Sequence, residues 1–227
     1  MRPTILLFDI DGTLITSGGV GRRSIERAFR ERYERDDACN FPFDGMTDRQ
    51  IARRGITAIG LMPTESAIDE LLDAYLDVLR VEVEKADAKT YRLHEGMLEA
   101  IRAARGRGHA VGLGTGNVIE GARIKLGKVG VFEEFAFGGF GSDAEDRTEL
   151  IRRGAERGAE HAGAELAECR VVVIGDTPKD VAAAKGIGAE CLGVGTGRYT
   201  KEALLEIGAT HAFDSLRAPG ALAALLG

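Results

Sequence analysis

With 227 residues, 44% hydrophobic and 29% charged, the chain is long enough for one large domain or a domain with an insertion, and too apolar for disorder. A net charge of −6 and a pI near 5.4 argue against nucleic acid or an anionic membrane as the main partner. No apolar run approaches the ~20 residues of a membrane span, no signal peptide is expected, and Cys39, Cys169 and Cys191 form neither a zinc nor a disulfide pattern, so a cytoplasmic location is expected.

Taken in order, residues 5–8 (Ile-Leu-Leu-Phe) form a short apolar run without alternation, which predicts a strand buried on both faces. It runs into Asp9 and Asp11, with Gly12 marking a turn. A glycine-rich link at 17–21 precedes a helix expected over 22–35. The stretch 41–45 breaks it, and a short helix follows to Ile56 with Thr47 as its N-cap. A longer helix starts near Thr64, where Ile68, Leu71, Leu72, Tyr75, Leu76 and Leu79 make an apolar stripe at helical spacing. Nothing between about 18 and 90 reads as a strand.

Past Leu93 the pattern changes. Helices are expected at 97–107, 118–128, 145–161, 181–186, 201–207 and 219–226. They alternate with strands at 109–115, 135–137, 170–175, 190–194 and 211–213. Such alternation predicts an α/β fold with a doubly wound parallel sheet and right-handed crossovers. The all-helical block then reads as an inserted domain, giving a core of 1–16 and 93–227 and a helical cap of 17–92, hinged near 17–21 and 91–95.

Three buried strands end in reactive residues: Asp9 and Asp11; Thr115, Gly116 and Asn117; and Asp176 through Asp180. A parallel sheet puts its C-terminal strand ends on one edge, where ligands bind. Asp9, Asp11 and Asp176 offer hard oxygen ligands suited to Mg²⁺. Thr115, Gly116 and Asn117, with the amides opening the next helix, offer an anion cradle. A carboxylate beside a metal and such a cradle is a candidate nucleophile.

These motifs resemble the haloacid dehalogenase superfamily. Its D-x-D-G-T signature stands as Asp9-Ile10-Asp11-Gly12-Thr13, its T/S-x-N motif as Thr115-Gly116-Asn117, and its G-D-x-x-x-D motif as 175–180. The helical block is similar to that family's C1-type cap, and the likeness is nearest to phosphoglycolate-phosphatase-like members. The resemblance implies a Rossmann-like core and a Mg²⁺-dependent phosphatase acting on a small phosphorylated metabolite. It implies Asp9 as nucleophile and Asp11 as acid/base. Mg²⁺ would be held by Asp9, the Asp11 backbone carbonyl and Asp176, with Thr13 and Asp180 one layer out and Thr115 and Gly116 on the phosphate. Asp11 favours phosphoester hydrolysis, because an alcohol leaving group needs a proton and a halide does not. A phosphosugar mutase and a non-catalytic binding protein on the same core are the alternatives.

The family's usual lysine before the third of these strands is absent between Phe140 and Glu149; Arg147 is the cation expected in its place, ahead of Lys128 and Arg152. Arg49, in the segment 45–49, is expected to meet a second anionic group on the substrate.

Overall fold

A computed structural model describes residues 2–227. Six strands form one parallel sheet: β1 (Thr4–Phe8), β4 (Ala110–Thr115), β5 (Phe137–Phe140), β6 (Arg170–Gly175), β7 (Glu190–Val194) and β8 (His211–Phe213), in the order β5-β4-β1-β6-β7-β8. β1 lies at the centre and is wholly buried, as its unbroken apolar run requires. Its side chains alternate between two cores. Ile5 and Leu7 join Leu150, Ile151 and Ala155 on one face, and Leu6 and Phe8 join Val111, Leu113 and Ile174 on the other.

Register sets the site. Phe8 pairs with Leu113 on one side and Ile174 on the other, so Asp9, Thr115 and Asp176 emerge together at the C-terminal edge. The ladder continues one step past β1, where Asp9 N–H donates to Ile174 O at 2.9 Å.

Three helices leave the sheet edge between residues 17 and 91: α1 (Val20–Tyr33), α2 (Asp48–Ala58) and α3 (Glu65–Lys85). The expected apolar stripe of α3 is buried at Ile68, Leu71, Leu72, Tyr75 and Leu79, while Leu76 is only partly buried. Thr47 caps α2 with its side chain, and Gln50 reciprocates onto the Thr47 amide, both at 3.2 Å. The chain departs and returns through a two-residue antiparallel ribbon, β2 (Ile15–Thr16) and β3 (Arg92–Leu93), which pairs Ile15 with Leu93. Strands this short carry no legible period.

The remaining helices are α4 (Met97–Gly106), α5 (Ile119–Lys128), α6 (Arg147–Ala162), α7 (Pro178–Gly186), α8 (Lys201–Glu206) and α9 (Ala221–Leu226). No described helix is long and apolar enough to cross a membrane. α7 begins three residues earlier than its apolar pattern suggests, because Pro178 occupies the first turn and Thr177 and Asp180 bond across the start.

The strand expected at 135–137 instead occupies Phe137–Phe140. Residues Phe132–Glu134 form a single 3₁₀ turn, and the Phe135 ring leaves the strand to pack edge-on against Phe8 at 6.1 Å. The strand itself is Phe-Gly-Gly-Phe, which propensity disfavours. Packing overrides propensity here: a Cβ at Gly139 would collide with the Leu150 carbonyl of α6. Gly139→Ala should therefore destabilise the protein by about 1–3 kcal/mol. Gly127→Ala, at a helical position with open space around it, should stabilise it by about 0.5–1 kcal/mol. Urea unfolding of the two variants checks both signs.

Candidate active site

At the sheet's C-terminal edge, Asp9, Asp176 and Asp180 bring carboxylate oxygens within 4.8 Å of one another, and all three residues are buried. Burial pushes Asp9 up to about 6, with Arg147 opposing and Asp180 adding to the rise. Burial pushes Asp176 up to about 8, reinforced by the charges of Asp180 and Asp9. Carboxylates this crowded are ionised together only when a cation offsets them. The donor set is oxygen only, which suits a hard divalent ion of the Mg²⁺ type. Thr13 orients Asp176 by donating to its Oδ1 at 2.9 Å. Gly12 and Gly197 press their backbones against Asp176 so closely that a Cβ at either would strike its carboxylate, and Gly12 also needs a φ of +82°.

Arg147 opens α6 and is buried, with Nη2 3.0 Å from Asp9 Oδ2 and 2.6 Å from Asp180 Oδ1; its Nε also donates to Asp180 at 2.9 Å. Asp180 thus fixes the guanidinium with one oxygen while its other accepts from Thr177. The competing cations lie elsewhere: Lys128 donates to the Glu84 carbonyl, and Arg152 pairs with Glu149.

Asp11 turns away from the three-carboxylate group. Its Oδ2 accepts from Lys125 Nζ at 2.6 Å and Asn117 Nδ2 at 3.0 Å, and its Oδ1 from Ser17 at 3.0 Å. Burial works to raise the Asp11 carboxyl, but Lys125, Asn117 and Ser17 outweigh it and hold the group below its ordinary value. Its side chain is therefore engaged apart from the Asp9, Asp176 and Asp180 group.

Thr115 is fully buried; its Oγ1 accepts from the Asn117 side-chain amide at 2.9 Å and backbone N–H at 3.3 Å. That arrangement turns Asn117 toward Asp11 and leaves Asn117 Oδ1 buried with no donor among the described residues. Beside it, the segment 45–48 lies directly on the cradle. Asp48 N–H donates to Gly116 O at 2.8 Å, and Asp48 Oδ2 accepts from Val118 N–H at 2.9 Å. Val118 precedes α5 and has no capping oxygen of its own, so a residue seventy positions away caps that helix.

Arg49 does not join the site. It pairs with Asp69 at 2.6 Å and Glu65 at 2.5 Å, tying α2 to α3, and it does not line the cavity. Its neighbour Asp48 does. Lys125 lies at the cavity without belonging to any sequence motif, and Asp48 lies there although only its neighbour was singled out in the segment 45–49. A signal for Lys125 existed: it shares one face of α5 with the buried Ala122 and Leu126, and a lysine on a buried helical face calls for a charge partner. A cavity of about 490 Å³ joins the two ends of the site.

A family model described as haloacid dehalogenase-like hydrolase matches residues 3–188, and the chain belongs to that family of hydrolases. No curated protein matches it. Solved structures of the same fold include CbbY from Rhodobacter sphaeroides, a mutant in complex with xylulose-(1,5)-bisphosphate (19% identity, 99% of each chain, TM-score 0.75). A hydrolase from Pseudomonas syringae (20%, 94% of each chain, 0.68) and a predicted phosphoglycolate phosphatase from Haemophilus somnus (16%, 95% of each chain, 0.67) are also similar.

The raised carboxyls set a pH dependence. A carboxyl whose folded pKa lies above its unfolded one binds a proton that the unfolded chain has already released. Metal-free stability therefore falls as pH rises from near 3.8 through about 6 for Asp9 and about 8 for Asp176. Because Mg²⁺ competes with those protons, the rise in Tm on adding it should be larger at pH 8 than at pH 5. Asp176→Asn should reduce the pH 8 rise, and thermal melts read both effects.

Proposed function

We propose that this hydrolase is a Mg²⁺-dependent phosphomonoesterase acting on a small phosphorylated metabolite through an aspartyl-phosphate. The observation that carries this reading is one cavity holding a nucleophile-grade carboxylate under a buried arginine, a cradle of amides, and a second carboxylate held separately by a lysine. A cavity of about 490 Å³ fits a small ester rather than a polymer.

In this reading a phosphate group sits between Asp9, Arg147 and the Gly116–Asn117 segment. Arg147 and the amides bond its non-bridging oxygens. Asp9 Oδ attacks phosphorus and the bond to the alcohol oxygen breaks. Asp11, ionised in the free protein because its carboxyl is held below its ordinary value, takes up a proton as the substrate dianion binds beside it and gives that proton to the departing alkoxide. Lys125 stabilises the Asp11 carboxylate left behind. That carboxylate then takes a proton from water, whose oxygen attacks phosphorus and releases Asp9 and inorganic phosphate. Asp9, Asp176 and the backbone at Asp11 would hold Mg²⁺, with Asp180 beside them, and the ion supplies charge neutralisation for the phosphoryl group.

Residues 17–92 serve in this reading as a cap that closes over the substrate on the Ile15–Thr16 and Arg92–Leu93 ribbon. In this reading the contacts of Asp48 with Gly116 and Val118, of Arg53 with Glu145 at 2.7 Å, and of Arg198 with Asp44 at 2.9 Å would hold the cap against the core.

Release of phosphate from p-nitrophenyl phosphate should require Mg²⁺. Asp9→Asn should lower kcat by at least about 1,000-fold, and Arg147→Ala by about 100-fold or more. Wild-type-like turnover by Asp9→Asn would remove the nucleophile assignment. Activity of Arg147→Ala within a few-fold of wild type would remove the phosphate role of that residue. Conversion of a sugar phosphate to its isomer without phosphate release would make the protein a mutase.

A further inference from the structure

The reading above leaves the leaving group undefined, and the far end of the cavity constrains it. Each cation that lines the cavity already has a partner. Arg147 is committed to Asp9 and Asp180, and Lys125 to Asp11 at 2.6 Å. Arg22 donates to the carbonyls of Cys39 and Phe41 and to Glu26, with its guanidinium 3.7 Å from the centre of the Phe43 ring. Arg198 pairs with Asp44 and is mostly exposed.

What lacks a partner is of the opposite kind. Asp48 spends Oδ2 on Val118, while its Oδ1 has no donor among the described residues. The Tyr75 hydroxyl has no hydrogen-bond partner there either. Tyr75 is 2% exposed overall, yet it lines the cavity. It lies beside Lys125 across Gly21: a Cβ on that glycine would sit 3.2 Å from Lys125 Nζ and 3.9 Å from the Tyr75 hydroxyl. Past Asp11, then, the cavity offers a carboxylate oxygen and a phenol, edged by the apolar side chains of Ile25, Phe43 and Ile51.

We propose that this end selects an uncharged, hydroxyl-bearing leaving group, a polyol or sugar monophosphate, through Asp48 and Tyr75, and rejects leaving groups that carry a carboxylate or second phosphate. The proposal rests on the phosphatase reading above. A substrate hydroxyl donates to Asp48 Oδ1 and accepts from or donates to the Tyr75 hydroxyl. A second anion would face the Asp48 carboxylate and would have to draw Arg22 or Arg198 away from the partners each already holds, and like charges brought together in a pocket are disfavoured. Arg49, expected to receive such an anion, is spent on α3.

Glycerol 3-phosphate and 3-phosphoglycerate make a matched pair, differing at one end as CH₂OH against carboxylate. With Mg²⁺ present, kcat/KM should favour glycerol 3-phosphate by about tenfold or more, and a hexose 6-phosphate should likewise exceed 2-phosphoglycolate. Asp48→Asn keeps an acceptor for Val118 and removes the charge, so it should shrink the first ratio several-fold. Tyr75→Phe should raise KM for glycerol 3-phosphate more than for 3-phosphoglycerate. A wild-type preference for 3-phosphoglycerate, or a ratio unchanged in an Asp48→Asn protein with a native-like melting transition, would overturn the proposal. p-Nitrophenyl phosphate separates the two levels. Its hydrolysis without a polyol preference overturns the leaving-group assignment alone, and failure to hydrolyse any ester overturns the phosphatase reading with it.

Discussion

The structure turns on the crowding of acids at one edge of a buried sheet. Asp9, Asp176 and Asp180 share a space where burial opposes their ionisation, and Asp11 and Asp48 lie close by. The protein divides the problem between two buried cations that do not overlap in duty. Arg147 serves the pair Asp9 and Asp180 with a planar fork. Lys125 serves Asp11 as a point charge at 2.6 Å. The remaining negative charge, at Asp176, is of the kind a divalent ion could offset. The division keeps two carboxylates only two residues apart in different electrostatic surroundings, one raised and one lowered.

Much of this edge was legible in the chain. The run from Ile5 to Phe8 is too short and too uniformly apolar for anything but a buried strand, and the acids that end it have few other places to go. Arg147 could be singled out because a cation was missing from the expected position and only one basic residue stood at a helix start there. The α2 cap at Thr47 followed from a hydroxyl-bearing residue ahead of a helix, and the start of α3 near Thr64 from the apolar stripe behind it.

Most of what escaped had no local signature, the buried face of α5 that carries Lys125 being the exception. The Ile15–Thr16 and Arg92–Leu93 ribbon joins residues far apart in sequence through two pairs only. The Phe137–Phe140 strand contradicts its own propensities because a helix packs too close for side chains. Asp48 and Lys125 carry polar groups whose partners lie 70 and 114 residues away. Arg49 was expected to meet a second substrate anion; in the structure it braces two helices, and its neighbour Asp48 lines the cavity.

The capping of α5 from outside ties the start of that helix to a distant segment. The Val118 amide finds its acceptor only when Asp48 lies against it, and that placement needs the 45–48 segment seated on Gly116, while the next amide, Ile119 N–H, is taken by the Ser142 hydroxyl at 3.2 Å. The first turn of α5 thereby registers where α2 lies, so any shift of α2 leaves one polar group at that helix start without its partner.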